Sequence, residues 1–203
     1  VLPELSLVFL TDYKTIQLSI GDFLLGAALV NLIAGPLSDR YGRRPIALIF
    51  FIIFICASLA SFFVENIYLF IFLRFLQASC AAGIVLGRAI VGYIYSGKQA
   101  TIMFGYISMI MAIGPLVGPF LGGLISDVLG PLQVLVFLAL LGVVVLYLII
   151  TDLQETNLTK SESILAQLKS YPLLLKSNKF WPPTLVSSFS FSVFGIFFVG
   201  GPY

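Results

Sequence analysis

Long apolar runs separated by short polar clusters constrain the fold of this chain more than any other feature. Of its 203 residues, 60% are hydrophobic and only 10% are charged, and the mean hydropathy is +1.09. A soluble domain of this size needs a much larger polar surface. Because a helix needs about 20 mainly apolar residues to cross the hydrocarbon core of a bilayer, the pattern predicts an all-α, polytopic membrane helix bundle. The predicted spans are 15–36, 46–64, 68–95, 101–126, 132–150 and an incomplete one, 181–203.

The positions of lysine and arginine predict how these spans are oriented. Outside the spans, Lys14 is alone on one side of the membrane, and the other basic residues all lie on the opposite side. Loops rich in lysine and arginine stay in the cytoplasm. The side with most of the basic residues is therefore predicted to be cytoplasmic, and its members are Arg40, Arg43, Arg44, Lys98, Lys160, Lys169, Lys176 and Lys179.

The same spans divide the chain into three predicted parts. Residues 1–150 form an N-terminal transmembrane bundle, 151–180 a cytoplasmic linker and 181–203 the start of a further span. Apolar residues recur at near-helical spacing in the linker, which predicts a short amphipathic helix on the inner membrane surface. A linker without fixed structure is the alternative.

The polar residues exclude several classes of function. The chain has no histidine, so any proton chemistry must use carboxyl groups with arginine tuning them. It shows no catalytic triad, metal-ligating cluster or phosphate-binding loop. Cys56 and Cys80 both fall inside apolar runs, which argues against a disulfide framework. We therefore expect no enzyme activity, no cofactor, no metal and no nucleic-acid partner; the expected partner is the lipid bilayer.

A charged segment, GPLSDRYGRRP at residues 35–45, lies between the first two spans. Gly35 can allow close helix approach and Gly42 a tight turn, while Asp39 can face a helix N-terminus, where a carboxylate is favoured. The alternative is a plain positively charged loop. Three further residues are expected to anchor the segment to anionic headgroups and to pair with Asp39, namely Arg40, Arg43 and Arg44.

Three polar side chains lie inside the third predicted span. Arg74 lies about 9 Å deep, and a guanidinium at that depth should face the bundle interior, with Gln77 one turn away on the same face. Snorkelling of Arg74 to the headgroups is the alternative. Arg88 falls near the same face 14 residues later, close to the cytoplasmic end, where headgroup anchoring is an equal alternative.

Asp22 is the only acid well inside a predicted span. An uncharged carboxyl group tolerates such a place better than a carboxylate, which makes Asp22 a candidate proton site. A water-exposed acid near the outer rim is the alternative.

Small residues and prolines alternate in the fourth predicted span. Small residues every four positions lie on one helix face, where a neighbouring backbone can approach closely. Each proline removes a backbone hydrogen bond and softens the helix. A packed, kinked helix is the alternative to a hinge. The residues of this motif are Gly114, Pro115, Gly118, Pro119, Gly122 and Gly123.

These motifs resemble those of the major facilitator superfamily, and most of all its Bcr/CflA (bicyclomycin and chloramphenicol resistance) group of drug:proton antiporters. Residues 35–44 match the superfamily's signature Gly-x-x-x-Asp-Arg-x-Gly-Arg-Arg, between its second and third helices. LRFLQAS at 73–79 resembles the fourth-helix motif Arg-x-x-Gln-Gly, with Ala78 in place of its glycine. The segment 114–123 resembles the fifth-helix antiporter motif, and LQET at 153–156 adds local similarity.

The resemblance implies the N-terminal half of that fold, from the outer end of helix one into helix seven of twelve. It implies proton-driven efflux of hydrophobic drugs by alternating access, in a bacterial inner membrane, with helices eight to twelve either supplied by a separate chain or cut from a truncated sequence. Two alternatives stay open: a uniporter or symporter for a small metabolite, and an inactive remnant of a split transporter gene.

The resemblance also implies roles for the motifs. The signature 35–44 becomes a conformational latch, with Asp39 facing the end of helix eleven. Arg74, Gln77 and Asp22 become the proton-coupling residues, and 114–123 a hinge. The chain departs from the group at two places, because Tyr93 stands where an aspartate is common and Asn31 where a glutamine is usual. The predicted substrate pocket consists of Asn31, Arg88 and Phe104.

Overall fold

The structure of the protein is a computed structural model that describes residues 2–157, 164, 171–172 and 175–200. These residues fall in two compact units, Val1–Lys160 and Ser161–Tyr203. The first unit contains the helices α1 to α7, and the second contains α8. The helices are α1 (Leu2–Val8), α2 (Tyr13–Tyr41), α3 (Arg43–Phe63), α4 (Ile67–Gln77), a 3₁₀ turn (Ala78–Ala81), α5 (Ala82–Ile94), α6 (Gly97–Leu129), α7 (Gln133–Thr151) and α8 (Trp181–Gly200).

The described helices confirm the prediction of a multi-pass, all-α membrane bundle. Five spans are long and apolar enough to cross a membrane, and they coincide with the first five predicted runs. The third span is interrupted, because the 3₁₀ turn separates α4 from α5. In that turn the Ser79 hydroxyl donates to the carbonyl oxygen of Phe50 at 2.9 Å, which holds the turn against α3. The amphipathic helix predicted for the linker lies almost entirely outside the described residues.

The predicted spans 15–36 and 46–64 leave residues 37–45 between them as a loop, and this prediction is wrong. Helix α2 continues to Tyr41 and α3 begins at Arg43, so that Gly42 is the only residue between them. Gly42 has a φ of +106°, which side-chain-bearing residues rarely adopt. The charged residues after Pro36 do not end α2, which continues through them. The backbone angle at Gly42 ends it. The predicted tight turn at Gly42 is therefore confirmed, but it is one residue long.

Helix α2 packs chiefly on α4, and a glycine permits their close approach. A Cβ atom on Gly26 would lie 2.7 Å from the Phe75 carbonyl oxygen and 2.8 Å from the Ala78 Cβ. The prediction that Gly35 serves this purpose is wrong, because a Cβ there would be in ordinary contact, 3.9 Å from Val85 Cγ1. The close contact is thus more than two turns away from the signature, at the middle of α2.

Helix α3 packs chiefly on α7 in the same manner. A Cβ atom on Gly142 would lie 2.8 Å from two ring carbons of Phe54 and 2.9 Å from Ile55 Cγ1. Lipid tails are as apolar as the helix surfaces, so helix pairs in a membrane depend on such close packing. Around these contacts, buried apolar residues form two clusters at different levels of the bundle. One consists of Ala34, Ile46, Ala47, Phe50, Ala82, Leu86 and Ile149, and the other of Leu5, Ile16, Phe70 and Leu135.

The contact at Gly142 yields a test of the packing. We expect Gly142→Ala to lower the free energy of unfolding by about 1–3 kcal/mol, because overpacking displaces the Phe54 ring. Gly87→Ala is the matched control, since a Cβ on Gly87 has nothing within 4 Å, and it should leave the stability unchanged or raise it by up to about 1 kcal/mol. Reversible unfolding in mixed detergent micelles, followed by circular dichroism, measures both. Equal stability of the two variants would contradict the assigned contact.

Candidate functional site

The ends of four helices meet at one end of the bundle, which we call the charged end. It contains the C-termini of α2, α5 and α7 and the N-terminus of α3, with the three arginines of the signature. After α7 ends at Thr151, the chain crosses this end of the bundle. Residues 155–157, which we call the strap, make the contacts that join the helix ends.

The carboxylate of Glu155 caps the N-terminus of α3. Its two oxygens accept hydrogen bonds from the backbone N–H groups of Arg43 at 3.0 Å and Arg44 at 3.2 Å. The first N–H groups of a helix have no partner within the helix, and the helix dipole favours a negative charge there. Sequence analysis expected Asp39 to provide such a carboxylate, whereas in the structure Glu155 caps α3.

The strap also holds the C-terminus of α2. The side-chain amide of Asn157 donates to the carbonyl oxygens of Ser38 at 3.2 Å and Asp39 at 2.7 Å. The Asp39 carbonyl is among the last of the helix, which lack partners within it, whereas the Ser38 carbonyl also accepts a hydrogen bond from the Gly42 N–H at 3.0 Å. The strap therefore fastens α2 and α3 on both sides of the Gly42 turn. A Cβ on Gly42 would displace the Glu155 carboxylate, and the φ of +106° disfavours any side chain at this position.

Two arginines of the signature turn inward to the bundle. Arg44 Nη2 donates to the carbonyl oxygen of Ile150 at 2.9 Å, at the end of α7. Arg43 Nη1 donates to the Thr156 hydroxyl at 3.2 Å, and its guanidinium lies 5.2 Å from the ring centroid of Tyr93. A cation over a ring face is attracted by the ring quadrupole. Tyr93 thus binds Arg43 at the end of α5.

The environment of Glu155 affects its protonation. Partial burial acts to raise the pKa of Glu155, but the backbone N–H groups that it accepts outweigh this and hold the pKa below its ordinary value of 4.5. These groups belong to Asn157, Arg43, Arg44 and Thr156. Glu155 therefore stays charged at neutral pH and keeps both hydrogen bonds to α3.

A second polar arrangement lies inside the membrane-spanning region. Arg74 Nη1 donates to Gln77 Oε1 at 3.0 Å, Gln77 Nε2 donates to Ser61 Oγ at 3.3 Å, and Ser61 Oγ donates to the Ala57 carbonyl oxygen at 2.7 Å. The Arg74 guanidinium also lies 5.8 Å from the Phe70 ring centroid. Gln77 and Ser61 are fully buried. The predicted pairing of Arg74 and Gln77 on one helix face is thus present, directed towards α3.

Asp22 does not join this polar chain. It lines a separate groove between α2 and α4, together with residues on another face of α4. The predicted substrate-pocket residues also lie apart from that groove. Arg88 Nη2 is 3.8 Å from Met111 Sδ, and Phe104 Cζ would be 3.8 Å from a Cβ on Gly92, so both mark the contact of α5 with α6. Asn31 is exposed on α2.

The small-residue face of α6 is open within the first unit. Helix α6 continues through both prolines and packs against α5 and α7. A Cβ on any of the four motif glycines would have no heavy atom within 4 Å in the described part of the chain. Those glycines are Gly114, Gly118, Gly122 and Gly123.

The helices and their polar contacts define a polytopic membrane bundle, at whose charged end the strap fastens α2 to α3. This chain belongs to the Major Facilitator Superfamily, because the family model of that name matches residues 1–203. The prediction of the N-terminal half of this fold is confirmed. The members of this family are transporters rather than enzymes.

Three relatives illustrate the similarity. An uncharacterized transporter of Rickettsia felis is 36% identical over 157 residues, which is 77% of this chain and 39% of the relative. A chloramphenicol resistance protein of Pseudomonas aeruginosa is 30% identical over 194 residues, 95% of this chain and 46% of the relative. A bicyclomycin resistance protein homolog of Haemophilus influenzae is 27% identical over 194 residues, which is 93% of this chain and 48% of the relative. The chain spans less than half the length of these relatives, which include the resistance proteins that its motifs resemble.

Removal of the charge on Glu155 tests the strap. A glutamine has one acceptor oxygen instead of two, and its NH₂ group cannot accept from the Arg44 N–H. We expect Glu155→Gln to speed hydrogen exchange at the amides of Arg43 and Arg44 and to lower stability by about 1 kcal/mol, as loss of a helix cap does. Glu65→Gln, on an exposed acid between α3 and α4, is the control and should change neither. Unchanged exchange at both amides in Glu155→Gln would refute the cap.

The pKa of Glu155 also predicts a pH dependence. Because its pKa is lower in the folded protein than the ordinary 4.5, the cap contributes its full stability above that value. That contribution is lost as the pH falls through the lower, folded-state pKa. The thermal midpoint of the wild type should therefore fall more on acidification below this range than the midpoint of Glu155→Gln. If the thermal midpoints of the two proteins fell by the same amount on acidification, the Glu155 carboxylate would not be the cap described here.

Proposed function

We propose that this chain forms the N-terminal half of a proton-coupled exporter of hydrophobic drugs in a bacterial inner membrane, with the charged end in the cytoplasm. The names of the Pseudomonas and Haemophilus relatives support drug efflux. The concentration of basic residues at the charged end supports the orientation. The second half of the transporter would come from residues beyond those matched here or from a separate chain.

The observation that carries the proposal is the series of buried hydrogen bonds from Arg74 through Gln77 to Ser61. A guanidinium inside a membrane span is energetically costly, and the arginines that occur there mark functional sites. The described residues give Arg74 neighbouring amide and aromatic groups but no carboxylate partner within ion-pair distance, and its Nε has no hydrogen-bond partner. Its positive charge is therefore available to favour the deprotonated form of a carboxyl group that approaches it. We assign proton coupling to Arg74, with Gln77 as its positioning residue.

The open face of α6 supports a contact with the second half. Glycines without neighbours allow another helix backbone to approach closely, and Pro115 and Pro119 leave two backbone carbonyls without partners in the helix. We propose that this segment, residues 114–123, is the hinge and seal between the halves during alternating access.

At the charged end, we propose that the signature acts as a conformational latch. Residues 155–157 hold α2 and α3 as one body, so that the exposed Arg40 and the carboxylate of Asp39 keep a fixed place relative to the helix ends. A latch of this kind can release its partner only as a unit. The strap supplies that rigidity, which the signature alone does not.

Proteoliposomes provide the test of coupling. The protein is reconstituted alone and together with any chain that supplies helices eight to twelve, and proton flux is followed with an internal pH dye when chloramphenicol is added. We expect drug-driven flux, and we expect Arg74→Gln to reduce it by roughly 10²-fold, the scale of a positioned proton-transfer group. Lys98→Gln is the control and should keep the flux, because Lys98 is an exposed base at the start of α6.

Two results would contradict the proposal. Absence of drug-driven proton flux in both reconstitutions would refute coupled drug export. Full flux in Arg74→Gln would refute the assigned role of Arg74 while leaving transport intact.

A further inference from the structure

A second groove lies at the end of the bundle opposite the charged end, and we call it the far groove. It is formed by the end of α1 and the residues after it, by the end of α3 with the connection to α4, and by the residue before α7. Its volume is about 680 Å³, within the range of small-molecule pockets, roughly 300–1,000 Å³. Its lining consists of residues 8–10, residues 62–65 and Leu132.

The lining is apolar except for one acid, Glu65. Three of its apolar residues pack on a buried cluster beneath the groove, and these are Phe9, Val64 and Leu132. The ring of Phe9 lies 4.8 Å from the ring of the fully buried Phe70, measured between centroids. The packed core therefore fixes the floor of the far groove.

The rim of the far groove exposes two large apolar side chains. Leu10 is 93% exposed and Phe63 is 78% exposed. Leu10 also has a φ of +47°, a left-handed backbone conformation that costs energy for a leucine. Such conformations persist where the surrounding structure enforces them, and they concentrate at functional sites, ligand sites among them. The backbone at Leu10 thus holds an apolar side chain at the rim instead of in the core.

The carboxylate of Glu65 is available to a ligand. Glu65 lies two residues after the end of α3 and is exposed. Its neighbour Asn66 already caps α4, accepting hydrogen bonds from the N–H groups of Tyr68 at 2.9 Å and Leu69 at 3.3 Å. Within the described part of the chain, Glu65 has no hydrogen-bond or ion-pair partner of its own.

The position of the far groove favours a lipid as its occupant. Helix α3 is long and apolar enough to span the membrane, and at its last turn the chain leaves the hydrocarbon core. A molecule in the groove therefore has apolar surroundings at Phe62 and Phe63 and a charge beside it at Glu65. An extended peptide would bring backbone N–H and C=O groups that need partners, and the side chains of the lining offer only Glu65.

The charge of Glu65 selects the headgroup. A carboxylate attracts an ammonium group and repels an anionic headgroup, and the interaction is stronger near a protein surface than in bulk water. A primary ammonium group also donates hydrogen bonds to a carboxylate, and such charge-assisted bonds are stronger than neutral ones.

We propose that the far groove binds a phospholipid of the phosphatidylethanolamine type, with an acyl chain against the apolar lining and the ammonium group beside Glu65. The bound lipid joins the end of α1, the end of α3 and the start of α7. This inference goes beyond the proposed function and does not depend on it, because lipid binding needs neither a drug nor a proton gradient.

Two phospholipids with the same acyl chains and different headgroups test the site. Phosphatidylethanolamine and phosphatidylglycerol are titrated separately into the detergent-purified protein, and native mass spectrometry measures the dissociation constant of the first bound lipid. We expect phosphatidylethanolamine to bind about two- to fivefold more tightly, which is the scale of an exposed ion pair. Glu65→Gln should abolish this preference. Asp127→Asn, which removes an exposed acid at the same end of the bundle but outside the groove, should keep it.

A variant at the rim tests the apolar part of the site. Asparagine adopts the left-handed conformation more readily than leucine, so Leu10→Asn should leave the thermal midpoint of the lipid-free protein unchanged or raise it. The same variant should bind both lipids several-fold more weakly, because their acyl chains lose an apolar contact. Unchanged affinity of Leu10→Asn for both lipids would refute the seat of the acyl chain.

Location is tested in liposomes with a phosphatidylethanolamine that carries a photoreactive group in its acyl chain. Crosslinks to residues 8–10 or 62–65 are expected, and crosslinks found only elsewhere would overturn the proposal. Equal affinity of the wild type for the two lipids would overturn it as well, as would an unchanged preference in Glu65→Gln. Dimers that Leu10→Asn abolishes, together with no headgroup preference, would assign the far groove to contact between copies of the chain instead.

Discussion

The close approach of helices at two glycines determines where the functional side chains of the bundle lie. In lipid, a helix pair gains little from burying apolar surface, so the pair is held where backbones come near enough for dense packing and short polar contacts. Gly26 sets the position of α2 on α4, and Gly142 sets that of α7 on α3. The first contact places Asp22 over the aromatic face of α4. The second directs the end of α7 to the charged end, where the chain continues into the strap.

The strap converts this packing into a fixed end of the bundle. Four helix termini expose N–H or C=O groups that the helices cannot satisfy. One carboxylate and one amide, Glu155 and Asn157, satisfy groups of α3 and α2 on both sides of Gly42. Arg43 is then free to bind the Tyr93 ring rather than an acid.

The sequence predicts the spans well, because the bilayer imposes the length of their apolar runs, although α2 and α3 extend beyond the predicted ends to Tyr41 and Arg43. It predicts Arg74 beside Gln77, because a three-residue separation on a helix defines a common face. It does not predict Glu155 as the cap of α3, because 112 residues separate it from Arg43 and only the packing of α7 brings them together. Gly35 and Gly26 are equivalent as residues in α2. Their different roles depend on which one faces Phe75 and Ala78, and the hydrophobic pattern of α2 does not reveal that.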